Sequence, residues 1–255
     1  MRRALRQHWP EAAAEALGLG LFMVSACAFA VLLEHPSSPL RAALPPSARR
    51  ILMGLAMGLT AVGLVHSPWG RRSGAHLNPA VTLTFAALGK VRREVAVLYA
   101  AAQAAGGLAG VLLASALLGP SLADPSTRYV VTQPGAGGPA AAFAAEVAIS
   151  FGLMAAVLAL SRSRFARYTG LAAGLLLWLF ISLEAPVSGT SMNPARSLGS
   201  ALVAQDFRAL WIYFVAPPLG MLGAAAALAS GRARGCAKLD HSHPRCLFCG
   251  KGATP

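Results

Sequence analysis

"SGAHLNPAV" (residues 73–81) and "SGTSMNPAR" (residues 188–196) carry the same skeleton, Ser-Gly-x-x-x-Asn-Pro-Ala, once in each half of the chain. A short helical pattern follows each copy, over 78–88 and 193–204. Proline at the first helical position needs no amide hydrogen, and the asparagine before it is a preferred N-cap, so both copies read as helix starts. At 1.5 Å per residue the two pieces are roughly 15–18 Å long, about half a bilayer. Neither can span alone; entering from opposite faces, they would meet near the middle as one broken span. A single Asn-Pro reads most simply as a surface turn. Two copies at equivalent places point instead to non-helical backbone at membrane depth, which is tolerated only where it lines a cavity or is buried in protein.

The surroundings fit that reading. Of 255 residues, 56% are hydrophobic and 12% charged, far too apolar for a soluble domain of this size. Six apolar runs, approximately 11–33, 50–66, 94–118, 140–161, 168–185 and 209–230, are long enough to cross a hydrocarbon core as helices. The net charge of +13 raises the question of a nucleic-acid partner, but the basic residues lie in the joints between these runs. With the N-terminus inside, most of them, including Arg71, Arg72, Lys90 and Arg162, fall on the cytoplasmic side. The positive-inside rule therefore accounts for the charge without nucleic acid and places both termini in the cytoplasm. The first run follows Arg2, Arg3 and Arg6, yet it is too long for a signal peptide and opens on Glu11 and Glu15.

Glu15 in "AEALG" and Glu146 in "AEVAIS" open the first and fourth runs. Each half thus holds three spans, with one Asn-Pro-Ala segment between its second and third. An odd number of spans forces the halves into opposite orientations, giving an inverted repeat. The chain divides into an N-terminal piece (1–10), a first repeat (11–118), an inter-repeat loop (119–139), a second repeat (140–230) and a tail (231–255). The expected architecture is an all-α membrane protein of six transmembrane helices plus two re-entrant half-helices.

On the two Asn-Pro-Ala boxes, the "NPARS" of the second and the paired Glu15 and Glu146, residues 11–230 resemble the aquaporins, the water and small-solute channels also called major intrinsic proteins. The resemblance implies that Asn78-Pro79-Ala80 and Asn193-Pro194-Ala195 face each other, each asparagine donating an amide hydrogen into a pore. It implies an acceptor ladder of backbone carbonyls from Gly74, Ala75, His76 and Leu77 on one side and Gly189, Thr190 and Ser191 on the other. Glu15 and Glu146 would brace the loops. Arg196 would line the outer constriction, since a charge inside a membrane segment is costly and points to a functional site. The family assembles as homotetramers with one pore per subunit, here in the cell's inner membrane, and close helix contacts would form at Gly106, Gly107 and Gly110.

Ser197 after the arginine matches water channels rather than glycerol channels. Ile181, however, falls where water-selective members carry histidine, and Met57 where an aromatic is common, so the implied filter is Met57, Ile181, Thr190 and Arg196. Losing an imidazole donor opens or greases the constriction. The expectation is passive permeation of water together with ammonia, glycerol and neutral metalloid acids, with ions and protons excluded and no enzymatic chemistry. An inverted repeat also suits a coupled secondary transporter, which needs a titrating carboxylate within the membrane.

The tail "CAKLDHSHPRCLFCG" (236–250) lies beyond the resemblance. Cys236, His241, His243, Cys246 and Cys249 are residue types that bind zinc or another soft metal, at a spacing short for a structural site. The channel itself calls for no cofactor. A tail that senses metal, with the channel closed, is a further alternative. Cys27, alone in the first span, reads as a small core residue.

Overall fold

The computed structural model describes residues 2–228, 236–240 and 248, and the described residues contain helices and no strands. Among these residues six helices are long and apolar enough to cross a membrane: α1 (Arg2–Glu34), α2 (Pro46–His66), α4 (Arg93–Leu118), α5 (Gly138–Ser161), α6 (Thr169–Ser188) and α8 (Leu210–Ala227). Between them lie α3 (Pro79–Ala87) and α7 (Pro194–Ala204), too short to span and each opening at an Asn-Pro-Ala box. The expected bounds hold to within a few residues except at the start. There the helix begins at Arg2 and runs through Pro10, so residues 1–10 are not a separate piece. The inter-repeat loop is likewise not featureless, holding short helical turns at Pro120–Ala123 and Arg128–Val130.

The inverted repeat is visible in the packing. α1 lies along α4 in the first half as α5 lies along α8 in the second, and α2 meets α6 across the pseudo-dyad. Small residues set these approaches. A Cβ on Gly106 would stand 2.0 Å from the Ala16 carbonyl oxygen and one on Gly110 would stand 2.3 Å from that of Gly20, so α1 and α4 touch backbone to backbone. Gly58 and Gly174 perform the same service between α2 and α6, each presenting its carbonyl 2.6–2.7 Å from the other's would-be Cβ. With Gly107 set against Ala195 and Gly199 of α7, the three glycines of α4 are used in packing within one chain.

At the end of α7 the loops are tied by Asp206. Its carboxylate accepts from Arg128 Nη2 (2.7 Å), Gln133 Nε2 (2.6 Å) and Arg208 Nη2 (2.8 Å), which fixes the stretch carrying Thr132. Hydrogen bonding to Arg208 and the neighbouring cations hold this carboxyl well below its ordinary value of 3.8. A depressed carboxyl contributes stability above its unfolded value and loses it as pH falls through the folded one. Because the arginines are largely solvated, the contribution is about 0.5–1 kcal/mol. Asp206→Asn should therefore lower the thermal midpoint by a few degrees at neutral pH, and the gap from wild type should narrow progressively as pH falls below 3.8 in detergent melts.

Candidate functional site

The two boxes meet inside the bundle through reciprocal bonds. Asn78 Oδ1 accepts from the Ala80 amide (2.8 Å), and Asn193 Oδ1 accepts from the amides of Ala195 (3.1 Å) and Arg196 (3.3 Å), so each caps its own half-helix. Each Nδ2 then reaches across the dyad: Asn78 donates to the Met192 carbonyl (2.7 Å) and Asn193 to the Leu77 carbonyl (2.8 Å). An amide NH₂ carries two hydrogens, so each asparagine keeps one further donor. The half-helix N-termini converge here, and their dipoles make the junction electropositive.

The loops before the boxes are the same structure built twice. Gly74 (φ 100°) and Gly189 (φ 82°) take the left-handed conformation, as do Ala75 and Thr190 and then Leu77 and Met192. Glycine suits the first of these positions because it adopts positive φ at no steric cost. In αL the other four residues are strained, and the loops hold them by buried hydrogen bonds. Glu15 accepts from the amides of His76 (3.0 Å) and Leu77 (2.5 Å) and from Gln103 Nε2 (2.7 Å). Glu146 accepts from the amides of Ser191 (2.6 Å) and Met192 (2.8 Å) and from the Ser188 hydroxyl (2.8 Å). Tyr99 and Tyr213 complete the correspondence by donating to the carbonyls of Ser73 (2.9 Å) and Ser188 (2.6 Å). Gln103 and Tyr99 were not read from the sequence, where they look like ordinary residues of oily helices; Tyr213 was read only as one of the sixth span's aromatics, not as a support of the loop.

Two cavities flank the junction and share Phe22, Leu177 and Ser191 as lining. The larger, about 510 Å³, brings together Met57, Ile181, Thr190 and Arg196 with Gly189 and Ser191. The smaller, about 120 Å³, is lined by Ala75, His76, Leu77, Asn78 and Asn193 together with aliphatic side chains such as Val81, Leu153 and Val157. The lining thus combines fixed donors and loop backbone with apolar groups.

Several expected roles are altered by the bonds these residues make. The Thr190 hydroxyl donates to Glu184 Oε2 (2.6 Å), so its hydrogen is not offered to the cavity and the constriction is less polar than its composition implies. Arg196 Nη1 donates to Thr132 Oγ1 (3.1 Å), a partner from the inter-repeat loop that no motif flagged. The Asn193 carbonyl can only accept and takes the single hydrogen of Ser191, which fixes the direction of the whole hydroxyl chain. Thr132 gives its proton to Ser197 (2.5 Å), Ser197 to Ser191 (2.6 Å), and Ser191 to the Asn193 carbonyl (3.0 Å). This chain of hydroxyls locks the guanidinium to the second box, and it gives Ser197 a structural task. In the ladder, the Leu77 carbonyl is engaged by Asn193, and the Gly74 carbonyl accepts from the Leu239 amide (3.2 Å).

His76 braces its loop. Its ring stacks on Phe85 (centroids 5.1 Å apart), and one nitrogen faces Thr82 Oγ1 (3.1 Å). Nε2 lies 2.8 Å from the Ala237 carbonyl, which can only accept, so Nε2 carries a proton. Of the metal-binding expectation, Cys236 alone falls among the described residues, where it is partly buried. His241, His243, Cys246 and Cys249 lie outside them.

Comparison with known proteins agrees with this geometry. The chain is 35% identical over 220 residues to "Aquaporin NIP1-2" of Arabidopsis thaliana, covering 83% of this chain and 70% of that one. It is 39% identical over 167 residues to "Putative aquaporin NIP4-1" of the same plant, covering 65% and 57%. It is 38% identical over 164 residues to "Aquaporin NIP6-1", covering 64% and 52%. The chain thus spans little more than half the length of the last two. The crystal structure of the aquaglyceroporin from Plasmodium falciparum shares the fold at 19% identity, with a TM-score of 0.72 over 88% of this chain and 96% of that one. The major intrinsic protein profile matches residues 3–229, all six spans and both boxes within it, and the chain accordingly belongs to that family of multi-pass membrane proteins.

Proposed function

We propose that this protein is a passive channel for water and small uncharged solutes, among them ammonia, glycerol and neutral metalloid acids, that excludes ions and protons and performs no chemistry on what it carries. The observation that carries the reading is the reciprocal clamp of Asn78 and Asn193 between two cavities, with one amide hydrogen of each left over. Two fixed donors orient a passing oxygen as an acceptor, and the half-helix dipoles and Arg196 repel cations. Met57 and Ile181 supply no polar group to the constriction and Thr190 turns its hydrogen to Glu184, which favours small neutral solutes beside water. The relatives named as aquaporins support the same class.

A coupled transporter fits less well. Glu15 and Glu146, the carboxylates at equivalent places in the two halves, each serve as acceptors for three fixed donors. We place the His76-side mouth and both termini in the cytoplasm on the basic residues of its loops, and the protein in the cell's inner membrane as a homotetramer. For the assembly the support is α6, which leaves Leu175, Trp178, Leu179 and Leu183 on an open apolar face.

Stopped-flow light scattering on proteoliposomes, with the full chain and with the chain ended at Gly235, is the test. At least one form should shrink well faster than empty vesicles and show neither saturation nor dependence on a proton gradient. Folded protein in both forms with permeability at background would sink the channel reading. Ile181→His restores a donor at the constriction and should lower the glycerol-to-water permeability ratio about tenfold, read from the same traces.

A further inference from the structure

Residues 236–240, Cys-Ala-Lys-Leu-Asp, lie beyond the family match, yet they sit in the mouth on the His76 side. Ala237, Lys238, Leu239 and Asp240 are all buried there, a charged pair included. The mouth holds the segment at four points. The Ala237 carbonyl accepts from His76 Nε2 (2.8 Å), and the Leu239 amide donates to the Gly74 carbonyl (3.2 Å). Lys238 Nζ donates to the Arg71 carbonyl (2.7 Å), and the Asp240 carboxylate lies against Arg71 Nε (3.1 Å) and His66 Nδ1 (2.8 Å). Phe248 adds a ring stacked on His76 with centroids 5.7 Å apart.

We propose that residues 236–240 are an intramolecular plug, an inhibitory segment that closes the cytoplasmic mouth of the channel; the inference rests on the channel reading above. Three observations point to obstruction rather than mere tethering. Leu239 is itself a lining residue of the inner cavity, in company with Asn78 and Asn193. Its amide occupies the carbonyl of Gly74, one of the acceptors on which a chain of water molecules would depend. The Ala237 carbonyl takes the only hydrogen that a neutral His76 with this tautomer can give. The plug therefore satisfies the mouth's polar groups as solute would, while placing an isobutyl group in the path. The Lys238 and Asp240 contacts are partly open to solvent, so occupancy is reversible and a competing interaction by the tail would shift it.

Osmotic permeability per unit of protein in inside-out oriented proteoliposomes tests the plug, comparing the full chain, the chain ended at Gly235 and the full-length variant Asp240→Lys. The variant replaces attraction to Arg71 by repulsion without shortening the chain, and guards against misfolding of the truncated form. Loss of a plug that closes nine-tenths of the channels raises flux about tenfold, and both altered forms should approach that gain. A synthetic peptide of residues 231–250 added to the exposed cytoplasmic face should return the truncated channel toward the full-length rate, and the same peptide with Leu239→Gly should not. Equal and fast flux through all three forms overturns the plug and leaves the channel standing. Equal flux at the level of empty vesicles, with all forms folded, overturns both.

Discussion

Glu146→Leu should leave no conducting protein. The side chain is fully buried, and its two oxygens are the acceptors for the Ser191 and Met192 amides and the Ser188 hydroxyl. Leucine fills much of the volume and supplies no acceptor, so three donors lose their partner in a place water does not reach. Each buried unsatisfied donor costs about 1–3 kcal/mol, which for three is a large part of a domain's whole stability. The loss falls on a loop already strained, since Thr190 and Met192 hold positive φ only because the surroundings over-determine them. Met192 also offers its carbonyl to Asn78, so the released loop takes the clamp at the first box with it. Glu146→Gln is the sharper probe: it keeps the shape but turns one of the two acceptors into a donor facing an amide. We expect the leucine variant to lose folded yield and its cooperative melt in detergent. The glutamine variant should assemble with a lowered thermal midpoint and permeability near that of empty vesicles. A glutamine variant conducting like wild type would show that the carboxylate is not what holds the second loop.

How far the sequence reaches follows from the range over which each signal acts. The Asn-Pro-Ala boxes are local: the cap, the proline and the half-helix behind them are properties of a few consecutive residues, and α3 and α7 start where that chemistry puts them. Apolar length is local too, and the six spans follow from it. Ile181, Thr190 and Arg196 were placed by spacing around the second box and Met57 by the family resemblance of the second span, and the four do line one cavity. What spacing could not provide is direction. That Thr190 turns to Glu184, or that Arg196 is held by Thr132 from a loop about 60 residues away, depends on tertiary contacts with no sequence period. Gln103 and Tyr99 were missed because one amide or hydroxyl on an oily helix carries no sign of the loop it supports. The tail drew attention for its cysteines and histidines, whereas its hydrogen bonds to the mouth run through Ala237, Lys238, Leu239 and Asp240, residues with no motif at all.

Gly106→Val should prevent α1 and α4 from packing, and the cause is steric overlap alone. A Cβ at this position would lie 2.0 Å from the Ala16 carbonyl oxygen, 2.5 Å from its Cα and 2.6 Å from its carbonyl carbon, all backbone atoms that no rotamer change can withdraw. Relief requires the two helices to separate, and their separation breaks the neighbouring contact of Gly110 with Gly20. It also moves Glu15, the neighbour of Ala16, away from Gln103, which lies about one turn from Gly106 on α4, and from the loop amides it holds. Overpacking of a close-packed interior commonly costs 1–3 kcal/mol, and a backbone clash of this depth exceeds about 4 kcal/mol. Gly63→Ala is the control: it lies in α2, has nothing within 4 Å of its would-be Cβ, and gains helix propensity of about 1 kcal/mol. Thermal melts and size-exclusion profiles in detergent should show Gly106→Val aggregated or absent and Gly63→Ala unchanged or slightly stabilised. If Gly106→Val instead assembles with a normal melt, α1 and α4 do not approach as closely as the structure has them, and the geometry that points Glu15 at the first loop goes with it.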